Sequence, residues 1–180
     1  MARLPYFDVD NVPGRLGEQL RGRPALNLYR VLPHAPEIAL GFLGLGRAIL
    51  TEASLPPALR ELVILRVGAL SGASYEVHQH RRVARAAGVP EEKIDAVLRP
   101  DANGDFSELE RLVIAFTDAV VHDVKAPAQL YAKVAAALDE QMMVELLATI
   151  GFYMLVSRLL ENLEVDIENP PLEKLELRHD

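Results

Sequence analysis

Apolar positions recur along this chain at helical spacing, and prolines, glycines and capping residues cut the pattern into segments. Residues 25–32 predict a short helical piece that Pro33 and Pro36 stop and restart. Residues 36–51, rich in Leu, Ala and Phe with glycines at 41, 44 and 46, predict a helix packed closely against a neighbour. Ser54-Leu55-Pro56-Pro57 offers a capping hydroxyl and then prolines where backbone N–H groups lack partners anyway, so a helix starts there and runs to about Leu70. Its Leu62-Val63-Ile64-Leu65 run is apolar on every side, which leaves no face for water and makes this helix central. Ser71-Gly72 breaks it, and Ser74 to Ala87 forms the next, closed by Gly88. Pro90 begins a short helix, Asp101-Ala-Asn-Gly-Asp reads as a turn, and Ser107 with Glu110 makes a capping box that opens a helix to about His122. Pro127 opens another to about Leu138, and Asp139 caps the longest, from Glu140 to about Leu163.

The first 24 residues carry Pro5, Pro13, Gly14, Gly17, Gly22 and Pro24 and predict an irregular arm with little helix. Residues 25–165 then form a helical domain, and residues 166–180 an acidic tail. No segment alternates with period two between hairpin turns, so the predicted fold class is all-α with about eight helices. There is also an internal echo, Leu59-Arg-Glu-Leu-Val-Ile returning as Leu109-Glu-Arg-Leu-Val-Ile, consistent with either coincidence or two related helical halves.

Composition narrows the chemistry. The chain has no cysteine, which removes disulfides, thiolate metal sites and every thiol redox cycle. Its net charge is −7 over 180 residues, an acidic balance that argues against nucleic acid as a partner. Most of that charge sits in Glu161–Asp180, whereas Arg60–Arg85 is locally basic, and a pocket lined by that segment would favour anions. No unbroken apolar run approaches the length of a membrane span, and Asp8 and Asp10 interrupt the start where a signal peptide needs its apolar stretch, so a cytoplasmic protein with no membrane partner is expected.

Three residues stand out as chemistry: Glu61, Glu76 and His80. Glu76 and His80 are four apart on one helix and share a face. A carboxylate beside an imidazole sets its tautomer and raises its basicity, as a general base requires. Glu61 precedes the wholly apolar turn and is expected to be partly buried, which tunes its carboxyl against a nearby imidazole. The plain alternatives are a solvated i,i+4 pair and a carboxylate placed for the helix dipole. Tyr75 and Arg81 flank the pair and are candidates to orient a carboxylate, while His78 points to a different face. The two acids with one histidine also allow a metal site, although no HExxH spacing supports it. Phosphate loops and the GxSxG elbow are absent.

The block from Leu59 to Val89, with Glu61, Tyr75-Glu76, His80 and Ala84-x-x-x-Gly88, resembles the carboxymuconolactone decarboxylase family, within the superfamily that also holds the alkylhydroperoxidase D enzymes. The match is strongest over residues 55–98. The resemblance implies an alkylhydroperoxidase D-like helical fold. Alkylhydroperoxidase-type members carry a Glu, a Cys-x-x-Cys pair and a His as a relay that activates a thiol. Laid on this chain, Glu61 and His80 match the relay, while the cysteine positions fall on Ala73 and Glu76, so thiol peroxidase chemistry is not available. Decarboxylase-type members lack that pair and remove CO2 without metal or organic cofactor.

The resemblance thus implies a cofactor-free lyase or isomerase acting on a small anionic lactone or keto acid. His80 would transfer the proton, Glu76 orient it, Glu61 act as relay partner, and Arg81 or Arg85 hold a substrate carboxylate. The long arm and the Tyr-Glu-Val-His-Gln-His wording depart from the decarboxylase pattern, so the substrate is expected to differ from the family's namesake. The family also forms homotrimers and homohexamers, and Glu140–Leu163 carries more apolar surface than one side of a helix can hide. Two other readings stand beside this one: a non-catalytic, ligand-binding oligomer of the same fold, and a metal-dependent enzyme using Glu61, Glu76 and His80.

Overall fold

A computed structural model describes residues 2–168, and the remainder of the expected acidic tail, residues 169–180, lies outside them. Among the described residues every regular element is helical, with nine α-helices, two 3-10 turns and one π turn. The chain divides into two compact units. Among the described residues, one comprises residues 2–45 together with 162–168, and the other runs from Gly46 to Glu161.

In the first unit the stretch expected to be an irregular arm holds a 3-10 turn, Val9–Asn11, and a seven-residue helix α1, Gly14–Leu20. The glycines that argued against helix are what permit it. A Cβ on Gly17 would lie 1.8 Å from the Val12 carbonyl oxygen, so only glycine lets the incoming chain close on α1. Helix α2, Asn27–Val31, and the 3-10 turn Leu32–His34 follow, and then α3, Pro36–Arg47. Residues 162–168 are stitched into this unit by polar contacts. The Arg3 N–H donates to the Leu163 carbonyl at 2.8 Å, and the Asn27 N–H donates to a buried Glu168 carboxylate at 2.6 Å.

The second unit opens with the π turn Ala48–Glu52. It continues through α4 (Pro57–Leu70), α5 (Ser74–Ala86), α6 (Glu91–Leu98), α7 (Glu108–Asp123) and α8 (Ala128–Ala137), and contains most of α9 (Glu140–Leu163). Helix α4 is the hub, packing against α5, α6 and α7. Every residue from Leu59 to Gly68 is buried, as an all-round apolar run demands. Leu62 and Leu65 join Ala84, Val89, Ile94, Val97, Phe106 and Ile114 in one core cluster. The two copies of the repeated hexapeptide lie at the starts of α4 and α7, which pack on each other. The capping box is formed as expected, with the Glu110 N–H donating to Ser107 Oγ and the Ser107 N–H donating to the Glu110 carboxylate.

Glycine marks close packing less often than the sequence suggests. In α3 only Gly46 is tight, its Cβ position 3.2 Å from the Phe152 ring, whereas Gly41 and Gly44 face open space. The decisive one is Gly68. A Cβ there would sit 3.1 Å from Val77 and 3.7 Å from the Glu76 side chain, so its absence lets α5 lie close against α4. Helix α9 carries an 18-residue window of mean hydropathy 1.6 and is, among the described residues, the one helix long and apolar enough to cross a membrane. Half of that window is buried within the fold, as in a core helix.

Candidate active site

Glu61 sits in the first half of α4, within the continuous buried run, and is wholly inaccessible to water. An ionised carboxylate there needs a partner. It finds His80, whose Nδ1 lies 2.6 Å from Glu61 Oε2. His80 stands on α5 with Glu76 one turn before it, and His80 Nε2 lies 3.0 Å from Glu76 Oε1. The imidazole is therefore gripped at both nitrogens, by one carboxylate of its own helix and one from the helix packed against it. All three side chains are buried.

Electrostatics follow from that grip. Burial by itself lowers the His80 pKa by desolvating the imidazolium, but the charges of Glu61 and Glu76, and the hydrogen bonds to them, outweigh it. The result is a pKa raised from 6.5 to about 10, so His80 is a buried imidazolium at neutral pH with both N–H groups donating. Basicity raised that far makes the group an acid at neutral pH. In that state it holds a proton it can give up, and it serves as a base only after losing it.

The remaining walls are partly new. The Tyr153 ring, from α9, meets the His80 ring edge-to-face with centroids 4.9 Å apart, and Phe152 packs on Tyr153 in turn. Arg60 is also buried, and its Nε lies 3.5 Å from Glu61 Oε1, the oxygen that does not bind His80. Neither Arg60 nor Tyr153 is singled out by sequence. The available signal for Arg60 was a cation next to a buried acid inside an apolar helix; for Tyr153 there was none beyond its place in an apolar helix.

The other expected residues fall as follows. Tyr75 is buried on the first turn of α5, and Ala73, at one of the positions where the resemblance puts a cysteine, is the residue before that helix and fully buried. Arg81 and Arg85 instead tie α5 to α6. Arg81 bonds Glu91 at 3.1 Å and also Asp95, and Arg85 holds Glu91 with two bonds of 2.6 and 2.7 Å. That bond to Arg85 holds the Glu91 carboxyl below its usual range. Glu91 and Asp95 thus occupy part of each guanidinium and compete there with any incoming anion. For a metal the arrangement is unsuited, because each acid is turned to a different nitrogen of one imidazole. No group of three His, Asp or Glu side chains among the described residues has metal-holding geometry.

A family profile, that of the carboxymuconolactone decarboxylase family, matches residues 36–119. No curated protein matches the chain. Several solved structures share its fold. A peroxidase-related protein from Ralstonia eutropha, with an alkylhydroperoxidase AhpD core, is 16% identical over 96% of this chain and 93% of that one, with a TM-score of 0.81. A protein of unknown function from Agrobacterium tumefaciens is 20% identical over 75% of this chain and 93% of that one, TM-score 0.69. A debrominase, solved in complex with 2,3,4-tribromopyrrole, is 20% identical over 79% of this chain and 76% of that one, TM-score 0.68. Identities this low carry the fold and leave the chemistry to the residues.

Proposed function

Because the chain belongs to the carboxymuconolactone decarboxylase family, with its alkylhydroperoxidase D-like fold, we propose that it is a cofactor-independent acid–base enzyme, a decarboxylase, other lyase or isomerase, acting on a small anionic lactone or keto acid. The observation that carries this reading is the buried imidazolium of His80 held between Glu61 and Glu76.

Loss of CO2 from a carboxylate leaves an electron pair on carbon, as an enolate or carbanion, and that carbon must then receive a proton. A desolvated imidazolium supplies both the positive charge that stabilises the developing anion and the proton that quenches it. The contact to Glu76 is the longer of the two, so Nε2 is the nitrogen from which the proton leaves, with Glu76 yielding its place to the reacting carbon. Glu61 keeps Nδ1 and fixes the ring. After transfer His80 is neutral and takes a proton back from water, which balances the cycle. With no cysteine in the chain, no thiol can attack a peroxide. Under this reading the enzyme works in the cytoplasm as a homo-oligomer.

The test is a panel of carboxylated lactones and 2-keto acids incubated in D2O, with products read by mass spectrometry. Wild-type protein is expected to release CO2 or shift a double bond with one deuteron incorporated, and His80→Gln to lose roughly 10²–10⁴-fold in rate with its circular dichroism unchanged. Undiminished turnover in His80→Gln would overturn the assignment. Tight binding with no product from any acid would favour a ligand-binding protein instead.

A further inference from the structure

We propose that Arg60 is the anion anchor of this site: a buried guanidinium whose unengaged N–H groups take the carboxylate of the bound small molecule, one Glu61 side chain away from His80. That the small molecule is turned over rests on the acid–base reading above; that it binds does not.

Two arginines are buried among the described residues, both on α4, and they are satisfied differently. Arg66 shows how this protein satisfies a structural guanidinium. Its Nε and one Nη bond both oxygens of Asp118, at 2.5 and 2.9 Å, and its remaining donors reach the carbonyls of Val97, Arg99 and Pro100. Arg60 is only 6% exposed, yet it makes a single long contact, Nε to Glu61 at 3.5 Å. That acid is already committed to His80 through its other oxygen. Among the described residues, neither Nη group of Arg60 has a hydrogen-bond partner.

They are not sealed in, however. Ser157 Oγ is the one fully enclosed side-chain polar atom without a partner among the described residues, so the free N–H groups of Arg60 keep a slight exposure. Burying a cation without a dedicated counterion is costly and seldom kept without use. The fork of a guanidinium matches a carboxylate in a bidentate fashion. Charge agrees with this. Arg60, Glu61, Glu76 and protonated His80 together are neutral, so a monoanion meets no net repulsion. The anchoring role that sequence suggested for Arg81 or Arg85 fits Arg60 better, since Glu91 and Asp95 engage those two.

The probe is 2-oxoglutarate, with its dimethyl ester as the uncharged control, followed by NMR of the arginine Nε–H signals and of His80. In wild type the Arg60 signal is expected to shift saturably with the acid, and not with the ester or with sodium chloride at equal ionic strength. Arg60→Gln should weaken binding roughly ten- to hundredfold, the factor for losing a charge-assisted pair, and Arg60→Lys should recover part of it. Absence of a saturable wild-type shift, or equal shifts from ester and salt, would overturn the anchor without needing any variant. So would an Arg60→Gln protein that moves the His80 titration but binds the acid as well as wild type, since that is the behaviour of a residue that merely positions Glu61. Acid binding that depends on Arg60, with no turnover of any lactone or keto acid, keeps the anchor and removes the enzyme. Turnover whose KM ignores Arg60→Gln keeps the enzyme and removes the anchor.

Discussion

His80 shows how two neighbours can change the charge state a residue type suggests. An isolated imidazole near neutrality is a base; one desolvated between two carboxylates holds its proton. Following the histidines by NMR from pH 4 to pH 10 should therefore find His80 still protonated at pH 8, with Glu61→Gln moving its titration downward toward the ordinary value near 6.5. The linkage has a definite sign. Because the folded pKa is raised, stability contributed by this group is complete below about pH 6.5 and drains as pH rises toward 10. Thermal melts should show the wild-type midpoint falling over that window more steeply than the His80→Gln midpoint. Arg66 presents the opposite case, a guanidinium whose importance is structural. Truncating it to alanine strands the Asp118 carboxylate and three carbonyls that it now satisfies. We expect a loss of about 3–5 kcal/mol in urea unfolding, with lysine unable to restore it because an ammonium lacks the fork.

Among elements, the pairing of α4 with α5 makes the site. Gly68 admits the close approach, and with it Glu61 and His80, 19 residues apart, come within hydrogen-bond distance. Gly68→Val should push Val77 and Glu76 outward, lengthen the Glu61–His80 contact between the two helices and lower the His80 pKa without touching a reacting group, a change the same NMR titration would read. Helix α7 ends under strain. Val124, a β-branched residue, adopts φ +66° just past the last turn while its side chain is 85% exposed. Val124→Gly is therefore expected to stabilise the fold by about 1 kcal/mol, seen as a higher denaturant midpoint. The helix starts were legible because caps and prolines act locally: Ser107 and Glu110 make their capping box from spacing alone. Helix α1 was not, since its glycines matter through Val12, a residue outside the helix itself.

At the scale of the whole molecule, α9 divides its apolar residues between two duties. Leu146, Ile150, Phe152, Tyr153, Val156 and Leu160 are buried, while Val144, Leu147 and Leu155 remain exposed along the helix. Their spacing places the exposed three on one stripe, which an aqueous protein covers at a cost lower than leaving it wet. The expected cover is another copy of the chain. Light scattering should give a homo-oligomer for wild type and a smaller species for Leu147→Glu, with helical content retained; a wild-type monomer would refute it.

Short-range physics is what the sequence determined by itself. Hydrophobic period, caps and prolines define helices over four or five residues, and the all-round apolar run around Leu62 makes α4 the hub wherever its neighbours fall. The i,i+4 placement of Glu76 and His80 belongs to the same class, as does the absence of thiol chemistry. Tertiary structure decided everything that depends on which charge meets which. It turned Glu61 onto Nδ1 of His80, bound Arg81 and Arg85 to α6, saturated Arg66 and, among the described residues, left Arg60 with open donors. Coulomb energies in a desolvated interior change steeply over a few ångströms. Positions that look alike along the chain therefore end with opposite roles once the helices are packed.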